Sequence, residues 1–140
     1  AAPSLAAGGG TLTLYQRLQP CHHSSDRAAW SCSEALVDTL WRAELKPRGI
    51  ALDVAVSYTY RAHWDVRSLP ARDRARYGAA IAAAREGIRV FAAAGDGVRL
   101  RGLKDHDWRF LLEHCDTEVR EDFARAAAEA EAEAAVAVGA

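Results

Sequence analysis

Two cysteines bound the stretch of this chain best equipped for chemistry: Pro20-Cys21-His22-His23-Ser24-Ser25-Asp26-Arg27-Ala28-Ala29-Trp30-Ser31-Cys32. A strand-like run, Thr11 to Tyr15, leads into Pro20-Cys21, and Cys32 opens an amphipathic helix. Unpaired N–H groups and the dipole at a helix start favour negative charge, so thiols there are expected to ionise readily. Two thiolates so placed suit a soft or borderline divalent metal. The chain holds three cysteines, and an odd number at irregular spacing is poor material for a disulfide framework. His22 and His23 adjoin Cys21. They read either as solvated loop residues or as substitute ligands that close on one tetrahedral ion only with strain. Glu34 follows Ser31 at capping-box spacing, which accounts for it structurally. Cys115 falls on an apolar helical stripe as a small core residue.

The elements that must position these groups alternate along the chain. A strand over 11–17 precedes the cysteine loop. A helix over about 32–45 carries the stripe Leu36, Val37, Leu40, Trp41 and Leu45, and Pro47 stops it. Ile50 to Tyr58 reads as a strand, and a polar loop, 61–69, leads to a helix from Pro70 to about Glu86, ended by Gly87. A strand over 88–93 is expected next, then a turn at Gly95-Asp96-Gly97 and a hairpin or bulged extension at 98–101. Asp105 caps a helix carrying Trp108, Leu111 and Leu112. The order predicts an α/β layer, with helices covering a sheet. The domain reading is a flexible lead-in over 1–10, a core over 11–116 and an Ala/Glu-rich C-terminal helix over 117–140.

The chain has 140 residues, half of them apolar, which suits one domain with a real core. No apolar run is long enough to cross a membrane, and no signal-peptide pattern is present. The thiol count favours a reduced intracellular compartment, nucleus or cytoplasm. The net charge of −1 hides an asymmetry: residues 1–112 carry 16 Arg/Lys against 11 Asp/Glu, and the remainder 2 against 8. Sixteen of the 18 basic residues are arginine. Arginine suits bidentate phosphate contact and base stacking, though GC-rich coding sequence gives the same bias.

In these residues the chain resembles the C-terminal two-thirds of the AID/APOBEC-like polynucleotide cytidine deaminases. The match runs from about Thr11 to Glu129. It comprises the strand into Pro20-Cys21, the helix from Cys32, the strand ending Tyr58-Thr59-Tyr60 with its polar aromatic loop, Glu86-Gly87-Ile88-Arg89-Val90, Gly102-Leu103-Lys104-Asp105, and Trp108 to Glu113. Two features depart from the family pattern. Ten residues separate the cysteines instead of two, and Arg17-Leu18-Gln19 replaces the usual Ser-Trp-Ser before Pro-Cys.

The resemblance implies a three-layer deaminase-like α/β sandwich with a central mixed sheet, its opening elements missing. It implies Zn2+ held in part by Cys21 and Cys32, with Pro20, Tyr60, Arg61, His63 and Trp64 in contact with single-stranded DNA or RNA. Aromatics stack on unpaired bases and arginine grips the backbone; alternatively, Tyr60 and Trp64 cover the end of the sheet. The reaction implied is hydrolytic conversion of cytosine to uracil. That chemistry also needs a His-x-Glu supplying the third ligand and the proton shuttle, and the 140 residues contain none. No catalytic residue is therefore assigned within the chain. It is expected either to be a fragment of a longer gene product or a degenerate relative, inactive alone. The alternative function is a non-catalytic deaminase-like domain that binds nucleic acid or a protein partner.

Overall fold

A computed structural model of the chain describes residues 9–23, 30–59 and 61–139. They fall into two compact units, Ala1–Gly102 and Leu103–Ala140. The first is an α/β unit built on a three-stranded sheet in the order β1-β2-β3, with β1 at Gly10–Leu18, β2 at Ile50–Tyr58 and β3 at Val98–Gly102. Both pairings are parallel, so among the described residues the sheet is not the mixed one expected. Parallel neighbours need long crossovers, and helices supply both.

The first crossover helix, α1, begins as Cys32–Glu34 and continues in wider π register as Ala35–Leu45. The Lys46 N–H returns to the Trp41 carbonyl, five residues back. Val37, Trp41 and Leu45, four residues apart, share its buried face. They pack with Ile50, Leu52, Val54 and Val56 of β2. Each such side chain fully removed from water contributes about 1.5–3 kcal/mol. Pro47 lies in a short 3-10 turn, Lys46–Arg48, that ends the helix, and Gly49 turns left-handed at φ 68° to start β2.

The second crossover, α2, runs Ala71–Ala94 and corrects two expectations. Residues 88–93 are helix, not strand, and Gly87 does not end the helix. Ile81, Ala84, Gly87 and Phe91 form its buried stripe, a helical period that continues through the supposed strand. Termination falls to Gly95, whose φ of 80° suits glycine. The freed residues 98–101 are then not a hairpin but β3, paired to β2 from Leu52↔Val98 to Val56↔Gly102.

The second unit contains α3, Asp105–Glu113, and α4, Thr117–Gly139. The N-terminal cap of α3 is Lys104, not Asp105. The Asp107 carboxylate accepts the Lys104 backbone N–H at 2.8 Å, because Asp107 stands one turn in, where a capping-box acid must be. Cys115 lies just beyond α3 and is only half-buried. No helix among the described residues is long and apolar enough to cross a membrane.

Candidate functional site

The Leu18↔Tyr58 pairing makes the parallel strands β1 and β2 end side by side. The chain therefore leaves both at one edge of the sheet: Pro20-Cys21 from β1, and the 61–69 loop from β2. In open parallel α/β sheets, the carboxyl edge is where ligands bind.

Buried polar contacts shape the turn out of β1. Gln19 donates its backbone N–H to the Tyr58 carbonyl at 3.1 Å and its Nε2 to the Ala84 carbonyl at 2.8 Å. This ties β1 to β2 and α2 at once. Its Oε1 is the one buried side-chain acceptor without a hydrogen-bond partner among the described residues. The fully buried Ser33 closes the loop. Its N–H donates to the Cys21 carbonyl at 3.0 Å, and its Oγ reaches the carbonyls of Pro20 and Cys21 at 3.1 and 3.2 Å. α2 approaches this knot at Gly87, where a Cβ would meet Ser33 Oγ at 2.9 Å and the His22 Cβ at 3.0 Å. Gly87 is there for close approach, which is why it could be mistaken for a helix stop.

The consequence is that Cys21 and Cys32, eleven positions apart, bring their sulfurs to 2.9 Å and share a hydrogen bond. That is shorter than the roughly 3.5–4 Å between two sulfurs on one tetrahedral zinc at about 2.3 Å per bond. It is longer than the roughly 2.05 Å of a disulfide. The pair is free thiols, Cys32 exposed and Cys21 half-buried. The expectation of easy ionisation does not hold for Cys32. Its hydrogen bond with Cys21 and, secondarily, burial push the thiol above its ordinary value. A shared proton outweighs the helix-start field.

Of the two histidines, only His22 departs from the solvated-loop reading. His22 is buried and its Nδ1 lies 2.8 Å from Ser31 Oγ. Ser31 Oγ also accepts the Glu34 N–H at 3.1 Å as the cap of α1. His23 is exposed, and its Nε2 lies 3.3 Å from Glu34 Oε2. The Glu34 N–H is thus capped by Ser31 while its carboxylate faces a histidine. His22, His23 and Glu34 each offer a ligand atom, all within 4.8 Å of one another, and this group could hold a metal ion. The sequence allowed His22 and His23 as substitute ligands but gave Glu34 to capping alone. His23 adopts φ 48°, and the two rings meet edge to face with centroids 4.8 Å apart.

At the end of β2, Arg61 adopts φ 56°. Its guanidinium lies 5.5 Å from the centre of the Trp64 ring and 4.9 Å from that of Tyr77 on α2. Trp64 packs edge to face on Tyr77 at 5.7 Å. Arg85, also on α2, donates Nε to the Ala62 carbonyl at 3.0 Å and Nη2 to that of Trp64 at 2.8 Å. Asp65 caps the turn Val66–Ser68 by accepting the Arg67 N–H at 3.0 Å. That bond holds its carboxyl below the ordinary value. His63 is exposed, its Nδ1 3.0 Å from Thr59 Oγ1. Tyr60 lies outside the described residues. A cleft of about 280 Å³ opens nearby, lined by Ser57, Tyr58, Thr59, Ile88, Arg101 and neighbouring groups.

Of the residues singled out from sequence, the structure brings Pro20, Cys21 and Cys32 into one knot, and Arg61, His63 and Trp64 into one loop on the same edge. Sequence reasoning missed Gln19, Ser33, Tyr77, Arg85 and the role of Gly87. Only Gly87 left a signal, as a glycine inside an otherwise continuous helical stripe. Comparison with protein-family models, with curated proteins and with solved structures finds no match to this chain.

Proposed function

We propose that this chain carries the Pro-Cys/Cys half of a zinc-dependent site for deaminating cytosine to uracil in single-stranded DNA or RNA, within an AID/APOBEC-like sandwich. The observation that carries the reading is the convergence of Cys21 and Cys32 at the end of β1, beside an arginine- and aromatic-rich loop leaving β2. The donor set fits the metal in kind, since a pair of cysteine thiolates is an ordinary part of a zinc ligand set. When bound, zinc supplies a water-derived nucleophile at neutral pH by lowering the pKa of its water.

The chain's own residues do the rest. Ser33 ties the Cys21 turn to the start of α1, and Gly87 lets α2 pack closely against it. Pro20 fixes the turn that presents Cys21. Trp64 and Arg61 offer a π face and a guanidinium to an unpaired base and its phosphate. Arg85 keeps that loop in shape, and the loop and the cysteine knot face substrate from adjacent strands. Proton transfer at N3 and at the leaving amine would need a His-x-Glu, which the resemblance puts upstream of Cys21.

The test is a deamination assay on single-stranded DNA and RNA. Residues 1–140 alone should show negligible conversion, because a positioned acid–base group contributes about 10²–10⁴ in rate and the third ligand is absent. A longer chain bearing an upstream His-x-Glu should convert cytosine, and Cys21→Ala or Cys32→Ala should abolish the conversion. Robust activity of the 140 residues, or a longer chain indifferent to both cysteine substitutions, would overturn the reading. If nucleic acid binds but no conversion occurs even in the longer chain, the non-catalytic binding domain is the better description.

A further inference from the structure

We infer that His22, His23 and Glu34 form a metal site of their own, for a borderline divalent cation of the zinc class, separate from the Cys21/Cys32 pair. The inference does not depend on the deaminase reading. The donor set is two imidazoles and one carboxylate, a combination suited to zinc, cobalt or nickel and not to calcium or magnesium. Among the described residues, neither cysteine sulfur belongs to this group, so the thiol pair and the trio are two donor sets.

Two features mark the trio as built. Consecutive side chains on extended backbone point opposite ways. His23 instead takes the left-handed conformation, φ 48°, and its Nε2 comes to 3.3 Å from Glu34 Oε2. A non-glycine residue held there costs free energy. The exposed His23–Glu34 pair, with side chains about half accessible, returns little of it. An ion bound by the three ligands would.

The second feature is Ser31. Its Oγ already accepts the Glu34 N–H and lies 2.8 Å from Nδ1 of buried His22, close enough to accept a proton held there. With the proton on Nδ1, the Nε2 lone pair of His22 is the one left for the ion. Protein-bound metals generally have their histidines oriented in this way, through the other ring nitrogen. The ion would clamp the turn after Cys21 to the first turn of α1, the two segments that carry the thiols.

The test uses the full 140-residue chain under a non-chelating reductant, with Co2+ and Zn2+ as probes. Native mass spectrometry counts ions, and the thiolate-to-cobalt charge-transfer band reports sulfur ligation. The Cys21→Ser/Cys32→Ser double variant should keep one bound Co2+ and show no thiolate band. Glu34→Gln changes an exposed group, and His23→Asn keeps a residue that tolerates φ above zero. Each should weaken that ion at least tenfold, about the smallest loss that disturbing even a ligand's supporting contacts causes. Helical circular dichroism should be unchanged in both. Loss of all ion binding in the double serine variant would overturn the inference, as would unchanged affinity in H23N and E34Q. A wild-type chain that binds an ion without any thiolate band would sustain this inference while counting against the cysteine pair as ligands.

Discussion

At the scale of single residues, side-chain volume and charge make opposite demands at sites that look alike in sequence. Gly78 and Gly87 both lie within α2, but a Cβ at Gly78 meets nothing within 4 Å. Gly78→Ala should therefore stabilise the chain by up to about 1 kcal/mol through helix propensity. Gly87→Ala should destabilise it by about 1–3 kcal/mol, because Ser33 and the backbone of the cysteine knot cannot give way cheaply. Urea titrations of the two variants check the opposite signs.

Asp53 supplies a pH dependence. Burial alone would raise its carboxyl, but hydrogen bonds from Arg99 and Arg101 outweigh that and hold it below the ordinary value. A depressed folded-state pKa stabilises fully above the unfolded value of about 3.9 and is lost as pH falls through the folded one. Melting temperature should drop as pH falls below about 4. Asp53→Asn should flatten that acid limb. It should also cost about 3 kcal/mol at neutral pH, the low end for breaking a buried pair, because exposed Arg99 rehydrates.

At the scale of elements, the loop after β2 owes its shape to α2. Arg85 bridges two carbonyls through the guanidinium fork, a geometry that lysine cannot copy. If the loop binds single-stranded nucleic acid as proposed, Arg85→Ala should weaken a fluorescently labelled oligonucleotide about tenfold, or about 1.4 kcal/mol. Arg85→Lys should not rescue it. Trp64→Ala should cost about 1–3 kcal/mol if a base stacks there. Equal affinity in all three variants would separate the loop from nucleic acid. The start of α1 is similarly dependent on one group: Ser31→Ala should cost about 1 kcal/mol as a lost cap.

For the molecule as a whole, the sheet's boundary governs behaviour. β1 pairs with β2 on one side, and among the described residues no strand covers its other edge. Open strand edges pair with other chains. Sedimentation velocity should show association that grows with concentration. Thr13→Lys, which puts a charge on the edge strand, should reduce it. A strictly monomeric chain with high cooperative stability would contradict this expectation.

The strands at 11–17 and 50–58, the start of the helix at Cys32, the start of α2 after Pro70 and the Ala/Glu-rich final helix were legible in the amino-acid order. Each announces itself by local means: apolar period, a cap, a proline. The meeting of Cys21 and Cys32 was legible from their types and placement and from the resemblance, but as metal ligands and not as a hydrogen-bonded thiol pair. The helical fate of 88–93 was not legible, because Ile88-Arg89-Val90-Phe91 satisfies a strand's alternation as well as a helix's stripe. Packing against the sheet and the cysteine knot decided between them. The parallel sense of β3, the lowered acidity of Cys32 and the meeting of His22, His23 and Glu34 likewise come from contacts between distant segments or from one left-handed residue. Such contacts depend on which groups three-dimensional packing brings within a few ångströms, and neighbours in sequence carry no record of that.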